Sequence, residues 1–132
     1  LGCGVLYDSL QSSEVSARLG AAHREAGAET GRVLIRRVWI GPPPEAQMAA
    51  QMDHYRSYAN EAATKNWTDD SLVHGDTPVA AAEALLDVLA ESDCDTVNVR
   101  VHVKGLTPAQ VDDQLARHAD GFVDAVRAGL GG

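Results

Sequence analysis

The run Asp95-Thr96-Val97-Asn98-Val99-Arg100-Val101-His102-Val103 alternates without a break. Valines at 97, 99, 101 and 103 fall on one side, and Asn98, Arg100 and His102 fall on the other. A side-chain period of two is that of a β-strand, so a strand is predicted over residues 95–103. A parallel sheet with helices on both faces would have apolar side chains on both. Here one row is polar, and each of its members is costly to bury without a partner. A (β/α)8 barrel accommodates both rows. The valines pack outward on helices, and the polar row points inward to the carboxyl-end mouth, where barrel enzymes keep their sites. Arg100 could then hold a phosphate or carboxylate in bidentate fashion, and His102 could donate to a ligand. The alternative is a structural hydrogen-bonded cluster, or Arg100 paired with a carboxylate.

The segments on either side support alternating strands and helices. After Gly105, Thr107-Pro108-Ala109-Gln110 reads as a capping box with Thr107 as N-cap. Val111, Leu115, Phe122 and Val126 then line a last helix, with Gly129, Gly131 and Gly132 as a frayed tail. Before the strand, Thr77 and Pro78 open a helix whose apolar face is Val79, Ala82, Leu86 and Leu89, widened by Leu85. Residues 65–75 lack periodicity and read as a loop. Pro44 starts a helix with Met48, Met52, Tyr55 and Ala59 in one stripe, which reads as core. Arg32–Ile40, rich in Val, Ile and Trp, is a second strand stopped by Pro42, Pro43 and Pro44. Arg36 and Arg37 face opposite ways, so one is expected inside the barrel and the other snorkelling or paired outside. Trp39, on Arg37's side, could stack on a flat ligand, although plain core is its simpler reading. Ser12 and Ser13 offer an N-cap to a helix with Val15, Leu19, Ala22 and Ala26 in register and Gly27 at its end. Residues 4–8 form a short first strand, with Tyr7, Asp8 and Ser9 at its mouth end, or Asp8 and Ser9 simply turning the chain.

The expected class is therefore α/β, with about three parallel strands joined by right-handed helical crossovers. A full barrel needs about 200 residues or more, and the 132 residues here supply part of one. The opening Leu1-Gly2-Cys3-Gly4 has no Met and no helix cap, so a cut between a helix and a strand is expected.

Composition excludes several functions. Apolar residues make 45% and charged residues 23%, which is globular rather than disordered. A formal charge of −8 with no basic cluster argues against nucleic acid. No apolar run of about 18 residues exists, so no membrane span is expected, and no secretory signal pattern is read at the start; two cysteines make no disulfide framework, and from them a cytoplasmic location is expected. Cys3 and Cys94 form no zinc or redox pattern and read as small buried thiols. They begin strands that a third should separate by nearly 10 Å, too far for a disulfide. His23, His54, His74 and His118 are scattered without metal-ligand spacing, and no P-loop, GxGxxG or GxSxG occurs.

In order and spacing these segments resemble the C-terminal part of the luciferase-like monooxygenases, the flavin- or deazaflavin-dependent (β/α)8 barrels. The residues that carry the resemblance are Leu1-Gly2-Cys3-Gly4-Val5-Leu6, the Arg-bearing strand Arg32–Ile40, Val73-His74-Gly75-Asp76-Thr77-Pro78 with the helix after it, the strand through Arg100 to Leu106, and Ala125-Val126-Arg127. The resemblance implies barrel strands six to eight over residues 1–132, with the N-terminal strands and the main flavin-phosphate loop absent. It implies FMN or a deazaflavin coenzyme in the parent enzyme and none bound by this chain. It carries over no catalytic residue and no metal. Tyr7, Arg100 and His102 alone are carried over, as candidates for the cofactor or substrate region. Bare sheet edges would be covered by a second copy of the chain or by the missing segment of the same barrel. The rival reading is a non-catalytic α/β module that dimerises or binds a protein partner.

Overall fold

Residues 3–29, 31–65, 67 and 72–131 are described by the computed structural model. The expectations placed on Leu1, Gly2, Gly132 and residues 66 and 68–71 lie outside them. The elements run β1 (Val5–Tyr7), α1 (Ser13–Glu25), β2 (Arg32–Ile40), α2 (Glu45–Tyr58), α3 (Glu61–Thr64), β3 (Leu72–Gly75), α4 (Pro78–Ser92), β4 (Thr96–Arg100), α5 (Pro108–Arg117) and α6 (Val123–Gly129). The caps read from the sequence form. Ser12 and Thr77 accept backbone N–H groups from Val15 and Ala80, and Thr107 and Gln110 close a reciprocal box.

All strand pairs are parallel, and β2 is their hub. In a parallel strand alternate residues turn their backbone groups to opposite edges. Val5 N–H donates to Gly31 O at 2.6 Å and Gly41 N–H to Gly75 O at 2.9 Å, both at odd positions of the β2 line. Asp95 N–H donates to Arg32 O at 3.2 Å, at an even one. β1 and β3 therefore share one edge of β2, end to end, and β4 takes the other. The sheet has four strands, one more than expected. The extra one, β3, lies in the stretch read as a loop. Four residues are too few to show a period, and β3 exists because the C-terminal half of β2 offers it a free edge.

β4 is shorter than the predicted 95–103. Its pairing stops at Arg37↔Arg100, and Val101 to Val103 leave the ladder. Beyond that point the edge of β2 is taken by a side chain. Ile40 N–H donates to Gln114 Oε1 and Gln114 Nε2 donates to Ile40 O, both at 2.9 Å. The Gln114 amide does the work of one more strand residue.

Helices cover one face of the sheet. α4 is their centre and touches β2, β3, α1 and α6. The core holds Tyr7, Leu34, Val38, Ile40, Ala81, Ala82, Leu85, Leu89, Phe122 and Val126. Burying a large aliphatic side chain there contributes about 1.5–3 kcal/mol. Several predicted faces are shifted. α1 buries Ser16 and Gly20 while Leu19 is exposed, because small residues let α1 approach α4 closely. α4 buries Ala81 and leaves Val79 exposed. The last helix is two helices. Asp120 and Gly121 leave helical geometry, with Gly121 at φ 92°, and the buried line is Gln114, His118, Phe122 and Val126 rather than one through Val111 and Leu115. Gly129 is not frayed; it ends α6, where a Cβ would meet the Leu86 side chain. β2 lies between β1 and β4, and both thiols are free, with Cys3 exposed and Cys94 half-buried.

His118 is buried against Phe122, with ring centroids 4.6 Å apart, and Nδ1 lies 2.7 Å from Gln114 O. Its Nε2 has no partner. Burial lowers its pKa, against a smaller opposing effect of the Gln114 carbonyl. The fold thus favours the neutral ring, and the unfolded chain takes up the proton first as pH falls. Stability should be intact above about pH 6.5 and drop below it, until pH passes the lowered folded value. Urea midpoints at pH 7.5 and pH 5 would read this drop, which should shrink in His118→Gln; an equal drop in both proteins would remove His118 as its source.

Candidate functional site

The face of the sheet away from α4 carries Leu6, Val33, Ile35, Arg37, Trp39, Thr96, Asn98 and Arg100, as strand alternation and register require. At its amino end this face is open, with Leu6, Thr96 and Asn98 exposed. At its carboxyl end α2 supplies Gln51, His54 and Tyr55, and two adjoining cavities of about 420 and 470 Å³ share Tyr55 and Arg100 as walls.

Four segments are tied together there. Arg37 is only 3% exposed. Its two terminal nitrogens donate to Ser9 Oγ at 3.3 Å and Tyr55 Oη at 2.9 Å, and its guanidinium carbon lies 5.8 Å from the Tyr55 ring centroid. Gln51 Nε2 donates to the same Tyr55 oxygen at 2.9 Å, and Gln51 Oε1 accepts from Lys104 N–H at 2.8 Å. Gln51 is buried although it lies outside the stripe Met48, Met52, Tyr55 and Ala59, because this pair of bonds holds α2 to the segment that follows β4. Tyr58 and Trp67 meet Tyr55 edge-on, at 6.1 and 6.5 Å, and extend an aromatic wall along the larger cavity.

The charge distribution is unusual for so acidic a chain. Arg37, Arg100, Lys104, His54 and His102 line the smaller cavity, and among the described residues no carboxylate lines it. The larger cavity has one, Asp8, which accepts from Leu10 N–H.

The sequence candidates separate. Arg100 and His102 stand together on the smaller cavity, and both are exposed. Tyr7 is elsewhere. It pairs with Leu34, so its ring enters the helix-side core, 2% exposed, with an unpartnered hydroxyl whose pKa burial raises. The expected mouth position failed because the register sets Tyr7 beside Leu34, on the helix side of the sheet; Ser9 reaches the cleft instead. Of the two adjacent arginines, neither snorkels. Arg37 enters the cleft, and Arg36, 5% exposed on the helix side, donates to the carbonyls of Asp8, Ser9 and Gln11 and so fixes the loop after β1. Trp39 is buried, and its indole N–H donates to Pro42 O at 2.8 Å. Among the described residues no three His, Cys, Asp or Glu side chains converge as a metal site. Nor, among them, is any helix long and apolar enough to cross a membrane.

Fold and site together define an α/β protein with a parallel sheet and a cationic, partly aromatic cleft at the carboxyl ends of its strands. No family model, no curated protein and no solved structure matches the chain.

Proposed function

We propose that this chain is the C-terminal β/α portion of a barrel-type oxidoreductase of the luciferase-like kind, which uses reduced flavin with oxygen or a deazaflavin coenzyme for hydride transfer. The observation that carries the reading is the one-sided covering of the sheet. Helices bury one face, while the other is open at its amino end, around Leu6, Thr96 and Asn98, and leads at its carboxyl end to a polar cleft, as the interior of a barrel does. On this reading the remaining strands, supplied by the same polypeptide, cover Leu6, Thr96 and Asn98, and the protein works in the cytoplasm.

The side chains present fit such a cofactor in part. Arg100 and His102 offer donors to an anionic group, and Tyr55 and Trp67 offer ring surface to a flat one. Tyr7, enclosed in the core, does not fit and is assigned no contact. The cofactor would supply the redox chemistry; these residues bind, orient and exclude water.

Two measurements test the reading. The isolated chain, titrated with FMN and watched by flavin fluorescence, should bind weakly or not at all. Stoichiometric binding tighter than about 1 μM would refute a partial barrel. The encoding gene should supply the other strands, so a gene product whose intact mass equals the 14.0 kDa of these residues would also refute it. The rival reading, a module that pairs with a second copy through its open face, draws on the exposed Leu6. It predicts a dimer in light scattering of the chain alone.

A further inference from the structure

Arg37 presents a problem that the fold alone does not solve. A guanidinium stays charged at every accessible pH, and burying a charge normally requires an opposite one. Arg37 is 3% exposed, yet its partners are two neutral hydroxyls and a ring face, and its Nε is buried with no partner at all. Among the described residues it makes no ion pair. Its register partner on the next strand is not a carboxylate but a second arginine, Arg100, on the same face. Neighbouring parallel strands lie about 4.8 Å apart, so the two side chains leave adjacent backbone positions on one face. The Arg100 and Lys104 side chains also take no hydrogen bond or ion pair among the described residues, and both line the cavity that Arg37 lines. The other two arginines of β2 are better matched: Arg32 has Asp95 at 3.3 Å, and Arg36 donates to the carbonyls of Asp8, Ser9 and Gln11.

We infer that the smaller cavity is an oxyanion subsite for a phosphate monoester, with Arg37 and Arg100 as its floor and Lys104 at its rim. Three cations with no carboxylate among the described lining residues suit a dianion better than a single carboxylate. Planar guanidiniums can each bond two oxygens of one phosphate, and a dianion beside Arg37 would supply the opposite charge that its neutral partners do not. The larger cavity continues from Arg100 past Tyr55, Tyr58 and Trp67, so the body attached to the phosphate is flat and apolar. Ring stacking there would be worth more than contact with a sugar or glycerol chain.

The inference rests on these cations and not on the oxidoreductase reading. The chain can bind a phosphate monoester whether or not flavin chemistry belongs to its parent, and the test uses no flavin as its primary probe. Phosphorus NMR line broadening and thermal stability of the chain would be followed during titration with phenyl phosphate, glycerol phosphate and benzoate at low salt. Phenyl phosphate should bind with a Kd of about 1 mM or tighter, more tightly than glycerol phosphate, and benzoate should be weakest. Arg100→Gln, at an exposed position, should weaken phenyl phosphate by about tenfold, while Arg127→Gln on α6 should leave it unchanged. Arg37→Gln should do at least as much as Arg100→Gln if it folds; if it does not, Arg100→Gln and Arg100→Lys carry the test. Displacement of bound phenyl phosphate by FMN but not by riboflavin would support the subsite with a cofactor as the source of the phosphate. Displacement by neither would support it with a phosphorylated substrate as the source. Absence of binding, equal binding of benzoate, or equal weakening by Arg100→Gln and Arg127→Gln would overturn the subsite. Equal affinity for phenyl and glycerol phosphates would overturn the flat body.

Discussion

Gly75→Ala should destabilise the chain by about 3 kcal/mol or more, a large part of a small domain's stability. Gly75 ends β3 and is buried where the chain turns into α4. A Cβ built on it would lie 2.3 Å from Ala81 N, 2.6 Å from Ala80 C and 2.8 Å from Ala81 Cα. All three are backbone atoms, so no rotamer change relieves the clash. The strand and the first turn of α4 must move apart, which opens the packing of Val73, Ala81 and Ala82 in the core and strains the bond from Gly41 N–H to Gly75 O. Gly121→Ala is the contrast. Its φ of 92° disfavours a side chain, but nothing lies within 4 Å of the added carbon, so about 1–2 kcal/mol is expected from backbone strain alone. Urea unfolding followed by circular dichroism gives both values. A Gly75→Ala protein less affected than Gly121→Ala would mean that β3 and α4 are not packed this closely.

The second large effect is expected at Gln114. Removing its amide in Gln114→Ala leaves both Ile40 N–H and Ile40 O buried without partners, at a cost of about 1–3 kcal/mol each. The sum should be about 2–6 kcal/mol, in a position where an exposed glutamine would change nothing measurable. Gln114→Glu separates the two bonds. The carboxylate still accepts from Ile40 N–H but meets Ile40 O with a second acceptor and a buried charge, so it should be no better tolerated than alanine at pH 7 and should recover towards pH 5. Gln114→Ala within 1 kcal/mol of the parent would show that water replaces the amide and that α5 is not tied to β2.

Capping and alternation were legible because they are local. Ser12, Thr77, Thr107 and Gln110 act on backbone groups three residues away, so the helix starts follow from short stretches of chain. The alternation of residues 96–100 likewise fixed which side chains share a face with Arg100. Less legible were the positions where a polar side chain replaces backbone across a long separation. Gln114 bonds Ile40 and Gln51 bonds Lys104, and nothing near either glutamine in the sequence marks it as buried. β3 escaped for the same reason, since its four residues are a strand only beside β2.

By itself the sequence determined the α/β class, the strand Arg32–Ile40, the helix caps and the sharing of one face by Asn98 and Arg100. Periodicity and capping are properties of a single chain segment, so they need no knowledge of what lies across from it. Only the tertiary structure decided that Tyr7 belongs to the core, that Arg37 rather than Arg36 enters the cleft, and that Gln51, Tyr55 and Trp67 are its walls. Which face of a strand is inside depends on which side the helices cover, and that is a free-energy balance of the whole chain: α4 packs over Leu34 and Val38, and the opposite row, Arg37 and Arg100 with it, is left to form the cleft.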